Sequence, residues 1–125
     1  MRHKVFVEEQ GVPIELEIDE YDHQDAVHFL GRIDKELVSV ARVCLIGSVA
    51  KIQRMAVLKR YRGRKLGKNM MKFMIDHIRS EKMASEIALD AQTYAQAFYA
   101  KLGFEPVGDE FDDAGIPHIH MVRKA

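Results

Sequence analysis

Residues 51–68 read KIQRMAVLKRYRGRKLGK, a strand-like run that turns through a glycine-containing basic loop into a helix. Of the ten residues 59–68, six are cationic (Lys59, Arg60, Arg62, Arg64, Lys65 and Lys68) and none is acidic. Beyond the loop, Leu66, Met70, Met71, Phe73, Met74, Ile75 and Ile78 recur at helical spacing, which predicts a helix over 64–82. The first-turn N–H groups of a helix have no partner within it and carry the positive end of its dipole, so a cationic loop delivering them favours a phosphate or pyrophosphate. Gly63 and Gly67 let ligand or backbone approach closely. A solvated basic turn ahead of an amphipathic helix is the competing reading, and the rest of the chain must decide.

The bulk composition narrows the choice. A chain of 125 residues with 47% hydrophobic and 30% charged residues suits one soluble mixed domain spanning 1–125. Formal net charge is zero, and a nucleic-acid protein is usually basic overall, so a local basic loop on a neutral chain argues for a small anionic ligand. Cys44 is the single cysteine, which excludes an internal disulfide or a thiolate cluster, and its apolar surroundings suit a buried, inert thiol. With no long apolar window and no secretory pattern at the N-terminus, the expected location is cytoplasmic.

Outward from the loop, residues 1–10 read as part of a helix stopped by Gly11, Val12 and Pro13. Residues 15–25 carry six carboxylates (Glu15, Glu17, Asp19, Glu20, Asp22 and Asp25) and read as a solvated connector. Three runs rich in Val, Ile and Leu, 26–33, 37–45 and 49–58, are separated by Asp34-Lys35-Glu36 and Gly47-Ser48, which predicts an antiparallel meander. After the 64–82 helix comes a short strand over 86–91. A strand, crossover helix and strand form a right-handed parallel unit, so 49–58 and 86–91 should be parallel neighbours. Thr93 opens the next helix, with Gln96 as a capping-box partner. Ala95, Phe98, Tyr99 and Leu102 form its apolar face and Gly103 ends it in the left-handed position. Strands over 104–111 and 118–123, joined by a loop over 112–117, close a mixed α+β domain.

With this organisation the chain resembles the GNAT N-acetyltransferase superfamily, and within it the ElaA-like branch. Met55-Ala56-Val57 followed by Arg62-Gly63-Arg64-Lys65-Leu66-Gly67 is similar to the family's acyl-CoA signature. Ala95, Phe98-Tyr99 and Lys101-Leu102-Gly103-Phe104 resemble its second cofactor segment. The branch is suggested by Val5-Phe6-Val7, Glu9-Gln10 and Val12-Pro13 near the start and Gly115-Ile116-Pro117-His118 near the end. Three departures stand out: Lys65 occupies the signature's middle glycine, Gln92 stands where asparagine is usual, and the sequence begins inside what the resemblance makes the first helix, so that the family's first strand is either truncated or absent. The resemblance implies a central mixed, mostly antiparallel sheet with one parallel, splayed strand pair, flanked by helices.

It also implies transfer of an acetyl group from acetyl-CoA to a primary amine by direct attack in a ternary complex. Met55, Ala56, Val57, Arg62, Gly63, Arg64, Lys65, Leu66, Gly67, Lys68, Gln92 and Phe98 are the implied cofactor-binding residues. Tyr99 matches the general acid that protonates the departing thiolate, and a phenol is protonated at neutral pH and can donate. His118 and Glu9 are the implied candidates for accepting the amine proton, while His28 and His120 read as sheet residues. The segments 7–25 and 109–118, which build the acceptor pocket in this family, are acidic and suit a cation. Two other readings compete: a catalytically idle acyl-CoA-binding or regulatory domain, and nucleic-acid binding through the basic loop. No metal is expected, because only His118 and His120 of the six histidines are closely spaced. Acetyl-CoA and an amine are the expected partners, a homodimer is an admissible assembly, and no membrane is involved.

Overall fold

The computed structural model describes residues 4–9, 12–19, 26–59 and 66–125. Eight strands form one sheet: β1 (Lys4–Glu9), β2 (Val12–Asp19), β3 (Ala26–Ile33), β4 (Glu36–Ile46), β5 (Val49–Val57), β6 (Glu86–Gln92), β7 (Glu105–Asp113) and β8 (Ile116–Lys124). Helix α1 (Leu66–Ser80) joins β5 to β6, and a 3-10 turn (Thr93–Ala95) leads into the short α2 (Gln96–Ala100) before β7. The strand order is β1-β2-β3-β4-β5-β6-β8-β7, antiparallel throughout except for the parallel pair β5 and β6. The mixed α+β class and the predicted parallel pair are both present. No described helix is long and apolar enough to cross a membrane.

The N-terminal expectation needs correction. Residues 4–9 form a strand, not part of a helix, and 12–19 form a second strand where a solvated connector was expected. Alternation explains the outcome. Register pairs Val5 with Leu16 and Val7 with Ile14, and β2 pairs Leu16 with Gly31 and Ile18 with Phe29. Leu16 and Ile18 are buried, so the acidic residues of β2 are interleaved with core positions. Glu20, Asp22 and Asp25, which completed the acidic count, lie outside the described residues.

The turns are tighter than expected. Asp34 and Lys35 (φ 50° and 69°) make a two-residue connection, as do Ala114 and Gly115 (φ 55° and 81°), so the 112–117 loop shrinks to a hairpin tip. The predicted capping box is also absent. Thr93 already lies inside the 3-10 turn, and neither that turn nor α2 has a side-chain cap. Helix α1 ends with Lys82 at φ 51°, the Met83 N–H bonding the Ile78 carbonyl and the Lys82 N–H bonding the Arg79 carbonyl. This is the 6→1 and 5→2 pattern of a Schellman stop, with lysine where glycine is usual.

The right-handed crossover places α1 on the face of the sheet that carries Phe29, Ala41, Val43, Ala50, Ile52, Ile87 and Leu89. It buries Leu66, Met70, Met71, Met74, Ile75 and Ile78 there. Phe29 anchors the contact, its ring meeting Phe73 and His77 edge-on with centroids 5.8 Å away in each case. Phe29→Ala is expected to destabilise the fold by about 3–5 kcal/mol, read as a lower urea midpoint at unchanged slope.

Candidate active site

The site begins with a pairing that stops early. Strands β5 and β6 pair only from Val49 with Glu86 to Ile52 with Leu89, although β5 runs on to Val57 and β6 to Gln92. The cause lies on β5. Opposite Ala41, two residues, Arg54 and Met55, occupy the space of one, because register passes from Arg42–Gln53 directly to Val40–Ala56. Arg54 takes φ 52°, so this is a bulge with a non-glycine residue in the left-handed region. A bulged strand bends and twists away from its neighbour. On its other edge β6 stays paired with β8 to its end, with Asp90, Ala91 and Gln92 opposite His120, Ile119 and His118. Among the described residues, the β5 edge from Gln53 to Ala56 is thereby left without a strand partner on the β6 side.

A cleft of about 880 Å³ occupies this gap. One mouth is formed by Leu66, Gly67 and Lys68 at the start of α1, together with Phe98 and Tyr99 of α2. Gly67 faces Met55 and Phe98; a Cβ there would stand 3.4 Å from the Met55 methyl group, so larger side chains would fill the passage. Tyr99 is held by edge-on contacts with Phe98 and Phe104, and the chain after it is pinned by Leu102 and Phe104 N–H groups bonding its carbonyl. Arg123 of β8 donates to the Leu102 carbonyl, and Gly103 (φ 93°) keeps that approach open. Burial, with a smaller contribution from Tyr94, raises the Tyr99 pKa above the ordinary phenol value, so the hydroxyl is a proton donor across the neutral range.

The second mouth lies on the face of the sheet turned away from α1, where alternation puts Lys51, Asp90 and His118. His118 stacks on Phe111 and its Nδ1 lies 2.8 Å from the Ile116 carbonyl oxygen. A carbonyl only accepts, so Nδ1–H donates and Nε2 is left as an acceptor. Asp90 bridges two cations or potential cations, Lys51 Nζ at 3.2 Å and His120 Nδ1 at 2.7 Å. Burial alone would raise the Asp90 pKa, but the hydrogen bonds and charges of His120 and Lys51 outweigh it and hold the carboxyl below its ordinary value. A depressed carboxyl stabilises the fold above the unfolded-state value, and that contribution is lost as pH falls through the folded one.

Met55, Ala56, Val57, Leu66, Gly67, Lys68, Gln92, Phe98, Tyr99 and His118 all line the one cleft. Arg62, Gly63, Arg64 and Lys65 lie outside the described residues. Glu9 is not brought to the cleft: β1 is the far edge of the sheet, four strands from β5, or about 19 Å at ~4.8 Å per strand. Lys51, Asp90, Tyr94 and Asp113 were not singled out from the sequence, and His120 was read there as a sheet residue. Asp90 alone left a signal, a charge inside the apolar run 86–91.

The profile of the acetyltransferase (GNAT) domain matches residues 4–125. A Bacillus subtilis (strain 168) protein carrying an acetyltransferase name is 40% identical over 126 residues, covering 99% of this chain and 85% of that one. Protein ElaA of Escherichia coli (strain K12) is 34% identical over 99% of this chain and 83% of its own. The crystal structure of Escherichia coli ElaA superimposes with a TM-score of 0.74 at 31% identity, over 83% of this chain and 74% of that one. An aminoglycoside 6'-N-acetyltransferase complexed with coenzyme A shares the fold at a TM-score of 0.68 and 17% identity, over 82% and 74% of the two chains. The chain belongs to the GNAT acetyltransferase family, in its ElaA-like branch. Since the bulge opens the cleft, Arg54→Val, which puts a β-branched residue at positive φ, should cost about 1–3 kcal/mol and lower Tm, whereas Arg54→Gly should not.

Proposed function

We propose that the protein is an acetyl-CoA-dependent N-acetyltransferase that acts on a primary amine by direct attack in a ternary complex. The observation that carries this reading is the end of the β5–β6 pairing at Ile52, which opens a cleft flanked at one end by the start of α1 and Tyr99 and at the other by His118. An amide-bearing arm such as pantetheine can take up the main-chain hydrogen bonds that β6 no longer makes. Main-chain N–H groups near Met55 and Val57 would hold the arm and polarise the thioester carbonyl, a contribution of roughly 3 kcal/mol per donor. The start of α1, with Leu66, Gly67 and Lys68, and with Gly63 and the basic residues Arg62, Arg64 and Lys65 ahead of it in the sequence, suits the pyrophosphate. Gln92 and Phe98 line the same passage.

In this reading Tyr99 donates to the departing thiolate, consistent with its raised pKa. His118 takes the amine proton on Nε2, the nitrogen not bound to the Ile116 carbonyl. The acceptor enters by the mouth that Asp90, Asp113 and His118 line, where Asp113 favours a cationic amine and Asp90 is paired with Lys51.

Two variants test the reading against a panel of alkylamines, diamines, amino sugars and lysine peptides, with thiol release measured alongside calorimetric titration of acetyl-CoA. Tyr99→Phe should lower kcat by about 10²-fold with acetyl-CoA affinity unchanged. An unchanged kcat where chemistry limits the rate would remove the acid role. Gly67→Asp, which adds bulk and negative charge beside Met55, should abolish acetyl-CoA binding in a folded protein; retained affinity would place the phosphates elsewhere.

A further inference from the structure

A second hollow, of about 300 Å³, lies between α1, the end of α2 and β8, and shares no lining residue with the cleft. Lys72, Asp76 and Arg79 come from α1, Lys101 follows α2, and Arg123 comes from β8. Ile75, which is buried, and Leu102, which is partly buried, supply an apolar floor. Positions 72, 75, 76 and 79 follow the i, i+3, i+4, i+7 repeat, so one stripe of α1 faces the hollow. Four cations thus surround it, against one carboxylate among the lining residues.

Arg123 is held in place by the protein itself. Its Nε donates to the Lys124 carbonyl at 2.9 Å and its Nη1 to the Leu102 carbonyl at 2.6 Å. A guanidinium carries five N–H donors in a planar fork, so two are used and the rest remain for an anion. Among the described residues the side chains of Lys72, Asp76, Arg79 and Lys101 form no ion pair, and all four residues are exposed. Cations that converge over an apolar floor without internal compensation focus positive potential on the space between them.

We infer that this hollow binds the phosphate group of a small molecule, separately from the cofactor, and that its occupancy ties α1 to the end of α2. A carboxylate ligand would bring one charge. A phosphate monoester brings about −1.5 to −2 at neutral pH and three acceptor oxygens, which suits several cations and a planar fork. Nucleic acid is a poorer match, because no aromatic side chain lines the hollow and the formal charge of the chain is zero. The place is also distinct from the start of α1: at ~1.5 Å rise per residue, Lys72 and Arg79 stand roughly 8 and 18 Å beyond Gly67 along the axis. Arg79 lies in the last turn, where the helix dipole disfavours an anion, so side-chain charge alone must hold the ligand.

Binding there has a mechanical consequence. The Leu102 and Gly103 N–H groups bond the Tyr99 and Ala100 carbonyls, and Arg123 holds the Leu102 carbonyl, so the segment that carries Tyr99 ends at the wall of the hollow. An anion shared by Lys101, Arg123 and the cations of α1 links that segment to the helix. The site does not depend on what the cleft transfers; only an effect on turnover would rest on the N-acetyltransferase reading.

The measurement is calorimetric titration of inorganic pyrophosphate into the full chain saturated with acetyl-CoA, with ionic strength matched by sodium chloride. Lys72→Gln, Arg79→Gln and Lys101→Gln should each weaken pyrophosphate binding by about 3–10-fold. Asp76→Asn, which removes the opposing charge, should strengthen it by about 2–5-fold. Acetyl-CoA affinity should be the same in all four, and amide exchange over 97–104 should slow when pyrophosphate binds. Equal pyrophosphate affinity across the series, or no heat beyond that of matched chloride, overturns the site. Pyrophosphate binding that acetyl-CoA abolishes assigns the hollow to the cofactor and overturns it equally. Unchanged exchange over 97–104 overturns the tie between α1 and α2. If the chain binds no acetyl-CoA, the N-acetyltransferase reading fails, and the same series titrated without it still decides the site.

Discussion

The functional architecture depends on an interrupted ladder. Parallel strands normally exchange hydrogen bonds along their whole common length, yet β5 and β6 stop after four residue pairs. Two events on opposite sides enforce the separation. On the β4 side, the extra residue at Arg54–Met55 bends β5 while its pairing with β4 resumes at Ala56 and Val57. On the other side, β6 is held to β8 along its whole length, so it does not follow β5 as β5 bends away. The facing edges of β5 and β6 are thereby left open, and an open edge inside a sheet is a hydrogen-bonding surface that water or a peptide-like ligand must satisfy.

The gap would close if the elements around it could slide. They are held by a core in which α1 packs four buried or partly buried aromatic and methionine side chains, Met70, Met71, Phe73 and Met74, against the sheet. Methionine adapts to an irregular surface, which suits a helix lying over strands that diverge. Phe29 supplies the rigid counterpart, and Arg123 reaches from β8 to bind the chain just after α2. Tyr99 is therefore placed by the tail of α2 and by Phe104, not by a helix cap, since α2 has no side-chain cap.

Much of this was legible in the chain. The apolar spacing from Leu66 to Ile78 announces α1, and the Val- and Ile-rich runs with two short turns announce the meander. Gly103 sits in the left-handed position that its place after Leu102 suggested. What escaped reading depends on contacts between strands distant in sequence. Val5-Phe6-Val7 suits an amphipathic turn or a strand equally well. The choice was made by pairing with a β2 whose Leu16 and Ile18 are buried. The bulge at Arg54 has no glycine to mark it. Lys51, Asp90 and His120 are 39 and 30 residues apart, and become one cluster only once the parallel register and the β6–β8 pairing are both known. Tyr99 and His118 were found because short motifs carried them; the cluster beside His118 has no local motif.

A formal charge of zero conceals how the charges are arranged around the slot. Lys68 and the start of α1 stand at one mouth, with Lys59 near the end of β5. Asp113 stands at the other beside the Lys51–Asp90 pair, continuous with an edge strand, β7, that carries Glu105, Asp109, Glu110, Asp112 and Asp113 on its exposed length. Fixed charges of opposite sign at the two ends of one passage set up a field along it, and such a field sorts ligands by sign before any contact is made. An anionic nucleotide-like ligand and a cationic amine would thus be drawn to different mouths and meet inside the sheet, where β5 offers its unpaired edge. Bulk composition hides this arrangement, because neutrality is the sum of two poles and only the fold separates them.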